Sequence, residues 1–177
     1  MLRFVSYDVV CSEIPGEVTL ALNISNCPNR CKGCHSPHLW EDTGEELTPE
    51  SLAVLLRQYG ATVTCVCFMG GDADPMSVAA LARMVRRYSV AQPAPSGMPP
   101  VEHPLKTAWY SGRSALPDGF PAADFQYIKL GPYVEALGGL KSPTTNQRLY
   151  RMEVDGRRTD LTPLFWRNPL DPESRVR

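Results

Sequence analysis

Net charge is almost missing from this sequence. Eighteen Lys and Arg stand against 19 Asp and Glu, a formal net charge of -1 over 177 residues. No global field therefore draws the chain to nucleic acid or to an anionic membrane. There is no run of about 20 apolar residues, so no membrane-spanning helix is expected. The opening stretch, MLRFVSYDVVCSEIPGE, sets Asp8 and Glu13 where a secretory signal needs an apolar core. These absences lead us to expect a cytoplasmic protein. Internal repeats are lacking as well. The length suits one domain with a full core and is short for two.

What is present is ordinary in bulk, with 43% hydrophobic and 21% charged residues, and unusual in its cysteines. Cys27, Cys31 and Cys34 fall together in NCPNRCKGCHSPHLW, residues 26–40, with His35 and His38 close behind. In a reducing compartment such a cluster reads as a metal or redox site rather than a set of disulfides. Cys65 and Cys67 alternate within the apolar run VTCVCFM and read as small buried hydrophobes. Cys11 stands alone.

Periodicity places the cysteines in a fold. VTLALNIS (18–25) is a strand that runs into the cysteine loop. LTPESLAVLLRQYG is a helix, capped by Thr48 and opened by Pro49, with Leu52, Leu55, Leu56 and Tyr59 on one face. VTCVCFM (63–69) has the continuous apolar character of a strand covered on both faces. GGDADP follows, and Pro75 opens a second helix with Leu81, Val85 and Tyr88 inward. LKTAWYSG (105–112) and FQYIKLG (125–131) are two further strands. This order signals right-handed βαβ units. AQPAPSGMPPVEHP (91–104) is Pro-rich and reads as a surface loop. From about residue 155 an irregular tail is expected, its arginines solvated.

Two motifs carry chemistry. A structural zinc site uses four ligands, so zinc would have to recruit His35 or His38 in a compressed spacing. A [4Fe–4S] cube takes Cys ligands, and three of them leave its fourth iron open. The C-x3-C-x2-C spacing favours the cube without forbidding zinc. The second motif is Gly70-Gly71-Asp72, at the C-terminal end of a buried strand, where α/β folds place ligands. Glycines let backbone groups approach a ligand, and Asp72 could accept from an ammonium. The plain alternative is a strand-to-helix turn with Asp74 as the cap.

The pair C-x3-C-x2-C and Gly-Gly-Asp resembles the radical S-adenosylmethionine (SAM) enzymes. Within that superfamily CPNRCKGCH, YSGR, IKLGPY and GGLKSPTTNQRLY resemble the activating proteins of anaerobic ribonucleoside-triphosphate reductase, over about residues 18–150. The resemblance implies Cys27, Cys31 and Cys34 as ligands of a [4Fe–4S] cluster. It implies SAM as second cofactor, touched by Gly33, Cys34, His35, Gly70, Gly71 and Asp72. Ser111 faces the same mouth, either as a ribose contact or as a strand-end hydrogen bonder. His38 reads as structural. Arg30 and Lys32 flank the thiolates and could offset their charge. Gly33 stands where many superfamily members carry an aromatic residue.

The resemblance also implies a fold and partners. A complete (β/α)8 barrel takes about 250 residues. The expectation is therefore a single α/β domain over residues 1–177, a partial (β/α) barrel of about five to six mostly parallel strands, open on one side. Its implied protein substrate is anaerobic ribonucleoside-triphosphate reductase, and its reductant an external one-electron donor such as flavodoxin or ferredoxin. Two alternatives stay open: a radical SAM enzyme acting on another protein, a peptide or a small molecule, and a non-catalytic zinc-binding interaction module.

Overall fold

The chain begins with a strand that the sequence did not announce. In the computed structural model, which describes residues 1–92 and 101–166, β1 (Arg3–Val10) precedes β2 (Thr19–Ile24), and a short β3 (Glu45–Glu46) follows the cysteine loop. Helix α1 (Pro49–Tyr59) starts with a capping box: the Thr48 hydroxyl accepts from Ser51 N–H and the Ser51 hydroxyl accepts from Thr48 N–H. It buries Leu52, Leu55 and Leu56. Strand β4 (Cys65–Met69) comes next, then α2 (Pro75–Arg87). Asp74 caps α2 by accepting from the Ser77 N–H and hydroxyl, and these bonds hold its carboxyl below the usual range. Val78, Ala79, Leu81, Ala82 and Val85 form its buried face.

Beyond α2 the chain is almost all strand. β5 (Ser89–Gln92) and β6 (Val101–Pro104) pair antiparallel as a separate ribbon. The ends of the Pro-rich stretch are thus regular, and its middle, residues 93–100, lies outside the described residues. β7 (Lys106–Tyr110), β8 (Tyr127–Leu130), β9 (Arg148–Met152) and β10 (Arg158–Asp160) complete the set. The expected irregular tail is corrected likewise. β10 pairs with β9, and a 3-10 turn spans Thr162–Trp166. Arg167, Arg175 and Arg177 lie outside the described residues.

The strands form one eight-stranded mixed sheet in the order β10-β9-β8-β7-β4-β2-β1-β3. The partial (β/α) barrel of mostly parallel strands is not what the chain builds. Only the junctions β2–β4, β4–β7 and β7–β8 are parallel, and the other four are antiparallel. The reason is the supply of crossovers. A parallel step needs a connection of about a dozen residues or more, usually a helix, and the described residues hold only two α-helices. The outer strands return by hairpins and loops instead, which makes them antiparallel.

The two faces of the sheet are covered differently. Both helices pack on one face, over a core containing Leu20, Leu22, Ile24, Val66, Phe68 and Trp109. On the other face Ile14, Cys65, Cys67, Ala108, Tyr127 and Leu149 pack with Leu140, Leu161 and Phe165, all supplied by loops and strands. Burial raises the Cys65 and Cys67 thiols well above their ordinary value. They stay neutral hydrophobes there, as their alternation suggested.

Register decides where the site sits. Asn23, Met69, Tyr110 and Lys129 lie side by side across β2, β4, β7 and β8. They form the last row before the C-terminal edge of the parallel strands. The cysteine loop, the Gly-Gly-Asp turn, Ser111 and Gly131 all leave the sheet just beyond it. The opposite edge is closed by Glu17. This buried carboxylate accepts from Thr64, Lys106 and Tyr127, each at 2.6 Å.

Candidate metal centre

The cysteine loop is held by its own backbone. Asn26 enters it with φ 59° and Arg30 precedes Cys31 with φ 40°, both left-handed, and Asn tolerates that region better than most side chains. Asn26 N–H donates to Glu41 O and Cys27 N–H to Leu39 O, which lays the 3-10 turn Pro37–Trp40 along the start of the loop. Two thiols receive N–H groups. Asn29 Nδ2 lies 3.7 Å from Cys27 Sγ, and Ser36 N lies 3.4 Å from Cys34 Sγ.

Asp72 ties this loop to the sheet. It is 1% exposed. Its Oδ2 accepts from Asn29 Nδ2 at 2.7 Å and from Gly112 N–H at 2.9 Å, and its Oδ1 accepts from the Ser111 hydroxyl at 2.5 Å. Arg113 adds a donor to the Asp72 carbonyl at 2.8 Å. One residue thus binds three segments that are far apart in sequence.

The three thiols border a shared cavity of 210 Å³. Its other walls include Gly70, Asp72, Ser111, Lys129 and Trp40. Among the described residues no three His, Cys, Asp or Glu side chains converge on a single-ion position. A second cavity, of 550 Å³, adjoins the first and shares Cys34, Met69, Tyr110 and Lys129 with it. His35 lines this second space and sits 5.0 Å from the Tyr133 ring, while His38 is exposed and borders neither cavity.

Lys129 was not singled out from the sequence. Its ammonium donates to Gly131 O at 2.8 Å and to Ser111 O at 3.3 Å. Burial pushes it down to about 8, against the upward pull of Asp72, Cys31, Cys27 and Cys34. The signal available was a lysine inside the apolar strand Tyr-Ile-Lys-Leu. Arg30 and Lys32 are both exposed, and Arg30 pairs with Glu41 at 3.4 Å.

Two glycines do different work from that expected. Gly70 borders the thiol cavity, but a Cβ on Gly71 would lie 2.5 Å from Val78 Cγ2, inside the core under α2. Gly71 is therefore required by packing and by its φ of +78°, and the cavity is not what it opens. A Cβ on Gly33 would meet the Glu135 side chain at 3.0 Å. Ser111 accepts from Arg113 N–H while donating to Asp72, as a strand-end hydrogen bonder would, and it also borders the thiol cavity.

Residues 15–97 match the family model described as 4Fe-4S single cluster domain. A 4Fe–4S cluster-binding domain is present. No curated protein and no solved structure matches the chain. The match covers the cysteine loop, the Gly-Gly-Asp turn and both helices, and leaves β1 and β6 to β10 outside it. The residues of the cluster domain fit the group. Three thiols face one cavity, and the buried Trp40 Nε1–H, which has no partner, points to an acceptor still to be supplied. An iron–sulfur domain is consistent with a redox enzyme. No helix among the described residues is long and apolar enough to cross a membrane.

Proposed function

We propose that the protein is a radical SAM activating enzyme whose substrate is a glycine of anaerobic ribonucleoside-triphosphate reductase. One observation carries this reading: the C-x3-C-x2-C loop and the Gly-Gly-Asp turn meet at the same sheet edge, around one cavity. When bound, the cluster would pass one electron from an external donor to SAM, and cleavage of SAM would supply a 5′-deoxyadenosyl radical that takes a hydrogen atom.

The chain's own residues prepare that edge. Cys27, Cys31 and Cys34 would hold three irons. Asp72 ties the loop to the turn and borders the cavity, where it would offset the charge of the SAM ammonium. Lys129 sets a positive charge near the thiolates, offsetting the negative charge that reduction adds. Cys34 borders both cavities and His35 the second, and both would contact SAM there. Gly33 and Gly71 serve backbone shape first.

A second reading rests on the 550 Å³ cavity, lined in part by Glu13, Tyr133, Lys141 and Phe165. It would serve a peptide or small metabolite as readily as an inserted loop of a large partner. The two separate in one experiment. Reduced protein, SAM and the reductase of the same organism are mixed without oxygen, and the electron paramagnetic resonance (EPR) spectrum is recorded. A glycyl-radical doublet, lost when the reductase's glycine is changed to Ala, supports the first reading. SAM consumption on a small substrate without a doublet supports the second.

A further inference from the structure

Trp40 is the unexplained donor of the site. Its indole N–H can donate and cannot accept. The nitrogen is buried and has no hydrogen-bond partner. Two other buried polar atoms share that state, and neither borders the thiol cavity: Thr19 starts β2 at the opposite sheet edge, and Arg113 Nε lies 3.8 Å from Asp72 Oδ1. Trp40 does border the cavity, together with Cys27, Cys31 and Cys34.

Its position is built rather than incidental. Trp40 lies between Leu39 and Glu41, whose carbonyls accept from Cys27 N–H and Asn26 N–H. The indole is therefore carried by the segment bonded directly to the first cysteine. The thiols of Cys27 and Cys34 already have an N–H close by, from Asn29 and Ser36. The other two indoles are committed elsewhere, Trp109 to Gly70 O and Trp166 to Leu140 O.

We propose that Trp40 donates its indole N–H to a sulfur of the bound cluster, thiolate or bridging sulfide, and raises its reduction potential. Hydrogen bonds to cluster sulfurs are among the levers that set such potentials. A donor stabilises the reduced form more, because that form carries one more negative charge. Trp40 would act as a tuning residue, through the cluster. The inference rests on the cluster part of the proposed function and is independent of which substrate is used.

The test compares wild type with Trp40→Phe, which keeps an aromatic ring and removes the N–H. Both are reconstituted anaerobically, and the cluster is titrated against potential while its reduced EPR signal is followed. The variant should hold the same iron and need a more negative potential. A tenfold fall in its reduction equilibrium constant is about 59 mV for one electron. Wild type labelled with 15N at the indole should show a 15N coupling in the pulsed EPR spectrum of the reduced cluster. That measurement decides the matter if the variant loses its cluster. An unmoved potential in a fully loaded variant, or no 15N coupling in wild type, overturns the role of Trp40 and leaves the proposed function standing. Wild type that binds no iron overturns both.

Discussion

Asp72 offers a sharp test of what holds the site together. Replacing it by Ala removes the acceptor of three hydrogen bonds at once. Asn29 is half-buried and can turn to water. The Ser111 hydroxyl is fully buried and Gly112 N–H is fixed by the backbone, so both stay stranded. At about 1–3 kcal/mol for each of the two stranded donors, plus about 1 kcal/mol for the lost bond from Asn29, Asp72→Ala should cost roughly 3–7 kcal/mol. That is a large share of the roughly 5–15 kcal/mol typical of a folded domain. Asp72→Asn behaves differently. Its amide oxygen can keep Asn29 and Gly112, while its NH2 donates to the Ser111 oxygen, so that only the Ser111 hydroxyl proton is left without an acceptor. The Arg113 pair is long, at 3.8 Å, and its guanidinium is 41% exposed, so losing it costs little. The isosteric change should therefore cost about 1–3 kcal/mol, for one stranded donor in place of two. Urea unfolding of the metal-free protein reads both values. After reconstitution, Asp72→Asn should bind iron normally yet cleave SAM slowly, because the ammonium has lost its counter-charge. Equal urea midpoints for the two variants would refute the view that Asp72 acts as a pin between segments.

Other expectations follow from the same geometry. Changing Cys27, Cys31 or Cys34 to Ala should abolish the cluster absorbance, whereas Cys65→Ala and Cys67→Ala should keep it and lose stability to a small core cavity. Gly71→Val should lower the urea midpoint of the metal-free protein by driving a side chain into Val78, and a variant that is as stable as wild type would contradict that packing. Burial alone would raise the Glu17 carboxyl, but hydrogen bonds from Lys106, Thr64 and Tyr127 and the Lys106 charge hold it below the usual 4.5. A depressed carboxyl stabilises above its unfolded value and loses that contribution as pH falls through the folded one. Urea midpoints should thus decline on acidification below about 4.5, and Glu17→Gln should flatten the decline. Lys129→Met should make the cluster harder to reduce in a potentiometric titration, while Lys32→Met, altering an exposed charge, should leave the potential in place.

Sequence was most legible where local chemistry acts alone. The Thr48-Pro49 start of α1, the Asp74-Pro75 start of α2 and the apolar run of β4 could each be read from neighbouring residues. The cysteine spacing marked, for the same reason, a loop whose three thiols border one cavity. The flanks of the sheet were illegible because their pattern is diluted: β1 carries Arg3, Ser6 and Asp8, β9 carries two arginines, and β10 is fully exposed. Such strands are specified by distant pairing partners rather than by their own hydrophobicity. That omission turned a mixed sheet into an expected partial barrel. Pro104 hid β6, although proline is tolerated on a ribbon edge. Lys129 escaped notice because its role depends on the register that brings β8 beside β7. At Gly71 the motif was legible, but not the helix beneath it, whose Val78 leaves no room for a side chain.

The manner in which the cysteine loop is fastened bears on the protein's lifetime in a cell. Its anchors are backbone bonds to Leu39 and Glu41 and the Asn29 link to Asp72, so no thiol is spent in holding the polypeptide together. A zinc finger that loses its metal unfolds. Here the sheet edge would outlast its inorganic cargo. A molecule that lost the proposed cluster would keep its shape and stay open to reloading. Damage would then be answered by repair rather than by new synthesis.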